Sequence, residues 1–249
     1  MSTDIKKIVD EIKKILRENK NPKNAEKYSK FFTEGYDAYG LDRETIEKKR
    51  AELVDKYKEK LGLSGFLNLG SELLKSGKYE EASLAVTFPV FFKDEIHKKD
   101  LKVFKSWLEK GIQNWAHTDV LCSEVIKLML LEKIINYTDL ATWRYSKSKW
   151  TRRAVPVSLL CLAKEKIDHK ELLVFIMPLM NDEDEMVQKG MGWFLREIWK
   201  VKPRPVEAFL LTYKNTAPRL IIQYATEKMS KEKKLKYKAE KKANTSAKK

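Results

Sequence analysis

The chain is poor in the residues that build covalent or metal cross-links. Its 249 residues include only two cysteines and three histidines. Cys122 and Cys161 each sit inside a helical apolar pattern, so they read as small buried hydrophobes of a reducing cytosol and leave a disulfide unsupported. His97, His117 and His169 have no ligand-like spacing to cysteine or to one another, which argues against a zinc site. No stretch reaches the roughly 18 consecutive apolar residues that cross a bilayer. Ser2, Thr3 and Asp4 make the start polar rather than the core of a signal peptide. A cytoplasmic protein with no membrane partner is expected. The strict apolar/polar alternation of half-buried strands is also missing.

Acidic residues are in deficit. Lys and Arg total 51 against 36 Asp and Glu, a net charge of +15. Residues 231–249 hold nine Lys and two Glu, so the rest of the chain still carries +8. The excess is therefore not confined to a tail, and it points to a polyanionic partner. Nucleic acid fits better than a membrane surface, because no helix joins a basic face to an apolar face left over from core packing.

What is present is helical period almost everywhere. Residues 3–20 place Ile5, Ile8, Val9, Ile12, Ile15 and Leu16 on one face. Asn21-Pro22 reads as an N-cap with proline at the first helical position. Gly35 and Gly40 bracket an aromatic turn with Tyr36 and Tyr39, and Asp42 caps the next helix, with Leu41 and Ile46 placed as a staple. That helix ends near Gly62. Further helices are expected over 64–75, 78–93 with a kink at Pro89, 98–110, 115–132, 138–147 with Thr138 as N-cap, 149–166, 170–180, 185–202, 204–215 and 218–230. Helix pairs recurring at about 35–40 residues suit an all-α fold of HEAT-like hairpin repeats, a curved α-solenoid with a concave basic groove. An irregular all-α bundle is the alternative. Residues 1–230 form the expected domain. The Lys-rich stretch 231–249 has too few apolar residues to pack and is expected to be disordered.

The chain is organised around residues 185–202. Val187, Met191, Phe194, Leu195 and Ile198 share one side of that helix at about 100° per residue. Trp193 lies roughly opposite, on a stripe with Lys189, Arg196 and Lys200, and Gly190 and Gly192 leave room beside it. A large ring on a basic stripe meets either a neighbouring helix or a flat, anionic ligand such as nucleic acid. Two further features stand out. Trp115 and Asp119 are four residues apart on one face that continues to Cys122 and Ile126. Asp119 is then a carboxylate in an apolar stripe beside a ring, or simply a favourable charge near a helix N-terminus. Trp150, Arg153 and Val157 share another face. An arginine there usually answers a carboxylate or phosphate, whereas Arg152 reads more as a snorkelling side chain.

Taken together, 189–197 (Lys-Gly-Met-Gly-Trp-Phe-Leu-Arg-Glu), Trp150-x-x-Arg153-Ala154 and Trp115-x-x-x-Asp119 resemble the DNA alkylation repair proteins, the AlkD-like HEAT-repeat DNA glycosylases. The resemblance spans Asn21 to Glu227. It implies that Asp119 is the catalytic carboxylate, Trp115 and Trp193 the flanking aromatics, and Arg153 the active-site arginine. Lys189, Arg196, Lys200, Arg152 and Trp150 would then contact DNA. It further implies hydrolysis of the glycosidic bond of cationic N3- or N7-alkylated purines in double-stranded DNA, approached from the backbone side, with no metal or cofactor. No stretch argues for an oligomeric interface, so a monomer is expected. The chain departs from the family pattern at Asn114-Trp115-Ala116, where Trp-Trp-Asp is frequent. It also has Phe31 where an aromatic hydroxyl is common, and Glu185-Met186 in place of a bulky pair. Two other readings stay open: a non-catalytic HEAT module for DNA or RNA, and a protein-binding HEAT adaptor.

Overall fold

A computed structural model describes residues 3–240. Among them there are thirteen α-helices and no strand. The first three are α1 (Thr3–Glu18), α2 (Pro22–Ser29) and α3 (Arg43–Leu73). Next come α4 (Tyr79–Thr87), α5 (Leu101–Lys110), α6 (Trp115–Val120) and α7 (Lys127–Leu131). Then follow α8 (Lys149–Ser158), α9 (His169–Ile176), α10 (Glu185–Val201), α11 (Pro203–Tyr213), α12 (Arg219–Ala225) and α13 (Lys231–Leu235).

The local signals act where the sequence puts them. Asn21 accepts a hydrogen bond from the Asn24 backbone N–H at 3.3 Å, with Pro22 opening α2. Asp42 caps α3 by accepting from Thr45 N–H at 2.8 Å. Gly62, at φ +53°, breaks α3 into two helical runs, as a residue without a Cβ can. Pro89 lies in a 3₁₀ segment, Phe88–Glu95, so α4 stops at Thr87 rather than bending. One expectation is corrected: Asn136, not Thr138, caps the next segment, and Tyr137–Tyr145 is a 3₁₀ run whose first turn Asn136 closes.

The helices stack in order. α1 packs on α3, α3 on α4, α4 on α6, α6 on α8, α8 on α10 and α10 on α12, while α5 backs α8 and α9 backs α11. This is the solenoid-like ladder of a repeat protein, in which each pair buries its apolar stripe against the next. Ile8, Ile12 and Leu16 of α1 are buried, as are Val187, Met191, Phe194, Leu195 and Ile198 of α10.

The glycines of α10 serve this stacking. A Cβ on Gly192 would lie 2.3 Å from Tyr224 Cβ and 2.9 Å from Ile221 O, so α12 crosses α10 against bare backbone. A Cβ on Gly190 would touch Arg153 Cγ at 3.4 Å. Both glycines clear space for neighbouring helices rather than for a ligand beside Trp193.

The Lys-rich stretch does not fray at residue 231. Ser230 caps α13, Lys233 pairs with Glu207 at 2.9 Å, and Tyr237 is only 2 % exposed. Arg219 donates to the Tyr237 carbonyl at 2.9 Å, and Glu240 N–H donates to Asn215 at 3.0 Å. The buried Tyr237 ring and these polar contacts together dock residues 231–240. The rest of the expected tail, 241–249, lies outside the described residues.

Candidate active site

Asp119 stands in the second turn of α6, and that short helix is fixed at its start. Asn114 Oδ1 accepts from His117 N–H at 3.0 Å, while Asn114 Nδ2 meets His117 Nδ1 at 2.9 Å. The amide nitrogen can only donate, so Nδ1 accepts and the ring proton sits on Nε2. From there it donates to Ser83 Oγ on α4, 3.0 Å away. Burial lowers the His117 pKa to about 4 and keeps the ring neutral. After α6 the chain runs through a π-helical turn, Leu121–Ile126, before α7. Such turns insert an extra residue into a helix and concentrate at functional sites.

Arg153 projects from α8 and is the hinge of the site. Its Nε donates to Asp119 Oδ1 at 2.9 Å and its Nη2 to Asp119 Oδ2 at 2.7 Å. Its Nη1 donates to the Met186 carbonyl in the first turn of α10. The pair is mostly hidden, with side-chain exposures of 7 % for Arg153 and 18 % for Asp119. Burial raises the Asp119 pKa above the ordinary carboxylate value, and the Arg153 hydrogen bonds and charge partly oppose it.

Trp115, Arg153, Trp193, Lys189 and Arg196 line one cleft of about 340 Å³. Asp119 is not among the lining residues and is linked to the cleft through its ion pair with Arg153. Helices α6, α8 and α10 therefore bring Trp115, Arg153 and Trp193 to one cleft, with Asp119 behind the arginine. Phe31, Thr33, Met186 and Tyr224 complete the wall. Phe31 and Met186 are positions where the sequence departs from the family pattern, whereas Thr33 and Tyr224 carry no sequence signal of their own. Trp115 also stacks on Phe32, with centroids 5.7 Å apart, and its Nε1 donates to the Phe31 carbonyl at 3.4 Å.

Three residues of the expected DNA-contacting set stand elsewhere. Trp150 is 6 % exposed and belongs to the core. Arg152 holds Asp182 with Nε and Nη2 at 2.6 and 3.2 Å and also donates to the Ser146 and Lys147 carbonyls, so its guanidinium staples a loop. Lys200 pairs with Glu197 at 2.8 Å and does not line the cleft. The stripe is also less positive than its lysines and arginines suggest. Glu185 faces Lys189 at 3.2 Å, and Arg196 meets both Glu197 and Glu227. No group of three or more His, Cys, Asp or Glu among the described residues could hold a metal ion.

The family description "DNA alkylation repair enzyme" matches residues 12–229. The chain belongs to that family. Among solved structures, the chain is similar to a "Predicted DNA alkylation repair enzyme from Enterococcus faecalis", with a TM-score of 0.63 and 19 % identity. The match covers 86 % of this chain and 98 % of that one. At that identity the likeness shows the shared all-α, solenoid-like fold. No curated protein matches the sequence. Family membership supports a role in DNA repair, and the matched span contains Trp115, Asp119, Arg153 and Trp193.

Proposed function

We propose that the protein is a monofunctional DNA glycosylase that hydrolyses the N-glycosidic bond of cationic N3- or N7-alkylated purines and leaves an abasic site. The observation that carries this reading is the Asp119–Arg153 ion pair, whose arginine lines one cleft with Trp115 and Trp193.

An alkyl group on N3 or N7 gives the base a positive charge, so it departs without a strong general acid. The C1′–N bond breaks and its electron pair stays with the purine, which leaves neutral. Positive charge grows on the sugar, where a fixed carboxylate stabilises it. A water oxygen bonds to C1′, and its proton passes to Asp119 or to solvent. The two indoles offer π faces to the cationic nucleotide and keep bulk water away.

Arg153 has two partners to choose between. Without DNA its fork closes on Asp119. A backbone phosphate at the mouth of the cleft competes for the same guanidinium. As Arg153 turns toward phosphate, Asp119 is left facing the sugar, whose developing charge replaces the lost partner. Lys189 and Arg196 exchange in the same way, because exposed ion pairs such as Lys189–Glu185 are worth only about 0–1 kcal/mol. These phosphate contacts hold duplex DNA without reading its sequence. Arg152 and Trp150 act on this surface only by shaping α8. The protein works on double-stranded DNA, as a monomer.

The test is release of 7-methylguanine from methylated duplex DNA. The native protein frees the base, and Asp119→Asn does not while still binding duplex. A native protein that binds duplex with the usual salt dependence yet never frees a base is a non-catalytic DNA-binding member of the family.

A further inference from the structure

The three cations that line the cleft have carboxylate partners before any DNA arrives. Arg153 holds Asp119, Lys189 faces Glu185 at 3.2 Å, and Arg196 meets Glu197 at 3.1 Å and Glu227 as well. A phosphate has to displace a carboxylate from each of them. The neutral donors on the same wall stand differently. Among the described residues, nothing accepts from the Thr33 hydroxyl, the Trp193 indole N–H or the Tyr224 hydroxyl.

Tyr224 is the most firmly placed of the three. Thr33 lies on an exposed loop, and the Trp193 ring presents its face to the nucleotide. Tyr224 stands half-buried in the last turn of α12, with its Cβ against the bare backbone of Gly192. A Cβ at position 192 would lie only 2.3 Å from it, so a larger residue there would push the tyrosine off α10. The glycine thereby makes α12 a fourth helix of the cleft. The hydroxyl oxygen is unpaired yet open to solvent, unlike the enclosed orphans Arg50 Nε and Glu81 Oε2. A ring locked by packing, with its O–H free, is a donor that loses little freedom when it binds.

We propose that the Tyr224 hydroxyl is a phosphate-binding donor of this cleft, reaching a non-bridging oxygen of the DNA backbone beside the lesion. Tyr224 takes this role only if the cleft holds DNA, as the glycosylase reading has it. Tyrosine hydroxyls are among the groups that bond phosphate oxygens and fix a protein's register on the duplex. Among three cations, an anionic oxygen is the acceptor the wall favours, and it makes the stronger, charge-assisted bond. The contact needs no base to leave the stack, so it suits an approach from the backbone side. It differs in kind from the contacts of Arg153, Lys189 and Arg196. No internal ion pair has to open, so the hydroxyl holds the backbone while the Arg153 fork is still closed on Asp119. It carries no charge, so it adds nothing to counterion release.

Binding of a duplex that carries a tetrahydrofuran abasic analogue, followed by fluorescence anisotropy with the full chain, tests this. Tyr224→Phe deletes one oxygen and keeps the ring against Gly192, so its urea midpoint matches the native one. Its affinity falls about tenfold, the size expected for a hydrogen bond to a charged group. The factor is the same at every salt concentration from about 50 to 200 mM, whereas Lys189→Met flattens the salt dependence. Methylphosphonates, in which a methyl group replaces one charged non-bridging oxygen, then locate the contact. At one phosphate next to the analogue this replacement weakens binding by the native protein, and Tyr224→Phe adds no further loss there. Native-like affinity in Tyr224→Phe overturns the proposal. So does a changed salt slope, or a loss that adds to that of every methylphosphonate tried, since the tyrosine then acts only by shaping the wall. Base release is read separately. Coupling at one phosphate in a protein that frees no 7-methylguanine overturns the glycosylase reading and leaves the contact standing. Base release without coupling does the reverse.

Discussion

Arg153 closes its guanidinium fork on both carboxylate oxygens of Asp119, at 2.9 and 2.7 Å, from a neighbouring helix thirty-four residues further along the chain. The two side chains are therefore mutual supports as well as candidate functional groups, and any substitution must be read on both scales. Asp119→Asn keeps the shape and one acceptor but removes the charge. A loss of base release of at least about a hundredfold is expected, the size of effect seen when a general base or a charge-stabilising group is removed. Stability falls by about 2 kcal/mol rather than the about 3–5 of a fully buried broken pair, because Asp119 keeps some access to water and the amide oxygen still accepts from Arg153. Denaturant titration of the variant beside the assay distinguishes the two losses. An unfolded variant at assay temperature voids the catalytic conclusion, and a folded variant with full activity removes Asp119 from the mechanism.

On the proposed mechanism the same pair sets an acid limit on activity. That mechanism needs Asp119 ionised, and burial raises its pKa above the ordinary 3.8 while Arg153 pulls the other way. Activity should therefore fall with decreasing pH at a value above that of a free aspartate. Arg153→Lys keeps one charge but loses the two-toothed grip. It weakens the lowering influence, so the acid limb of the pH–rate profile moves further upward. A limb that stays put or moves down shows that another group governs it.

Much of the fold was open to reading because its signals are local. Asn21, Asp42 and Gly62 mark helix boundaries through their own side chains or backbone, and they do so in the structure. The helix spacing of Trp115 and Asp119 was equally readable, because a four-residue step needs no tertiary information. What stayed hidden depends on partners far along the chain. Trp150 and Arg152 look like ligand-facing residues until the core and Asp182 absorb them. Arg196 of α10 looks free until Glu227 arrives from beyond α12. Residues 231–240 read as a solvated tail because a single docked ring, Tyr237, carries no periodicity.

His117 gives the protein a pH-dependent stability independent of catalysis. Its ring is buried and neutral, with a pKa lowered from 6.5 to about 4. Between those values the unfolded chain binds a proton that the folded chain refuses, so stability is full above about pH 6.5 and declines as pH falls toward 4. The whole shift corresponds to about 3 kcal/mol. Urea titrations between pH 7 and 4.5 should show this slope, a window chosen to lie above the carboxylates whose pKa values are lowered. His117→Gln starts less stable, having lost its bonds to Asn114 and Ser83, but shows a flatter dependence. An unchanged slope in that variant assigns the effect elsewhere.

Two carboxylates hold the aromatic strap between α2 and α3: Glu81 accepts from the Tyr39 hydroxyl at 2.7 Å, and Glu80 takes the backbone. Glu80, 1 % exposed, accepts from Tyr39 N–H at 2.8 Å with Oε2 and from Gly40 and Leu41 N–H at 2.6 and 3.0 Å with Oε1. The backbone can bend there only because residue 40 is glycine: φ is +85°, and a Cβ would lie 2.0 Å from Asn21 O. Glu80→Gln preserves volume but turns one acceptor into an NH₂ group facing a backbone N–H. Two donors then confront each other out of reach of water, and about 3 kcal/mol of stability is lost. The strap also carries Phe31 and Phe32, which meet Trp115 at the wall of the cleft. Loosening it should therefore raise protease sensitivity across residues 30–41 and lower base release together, with little change in salt-dependent DNA binding, since Arg153, Lys189 and Arg196, the proposed cationic phosphate contacts, lie outside the strap. Faster cleavage of the strap with undiminished base release separates the strap from the site and makes Glu80 a purely structural anchor.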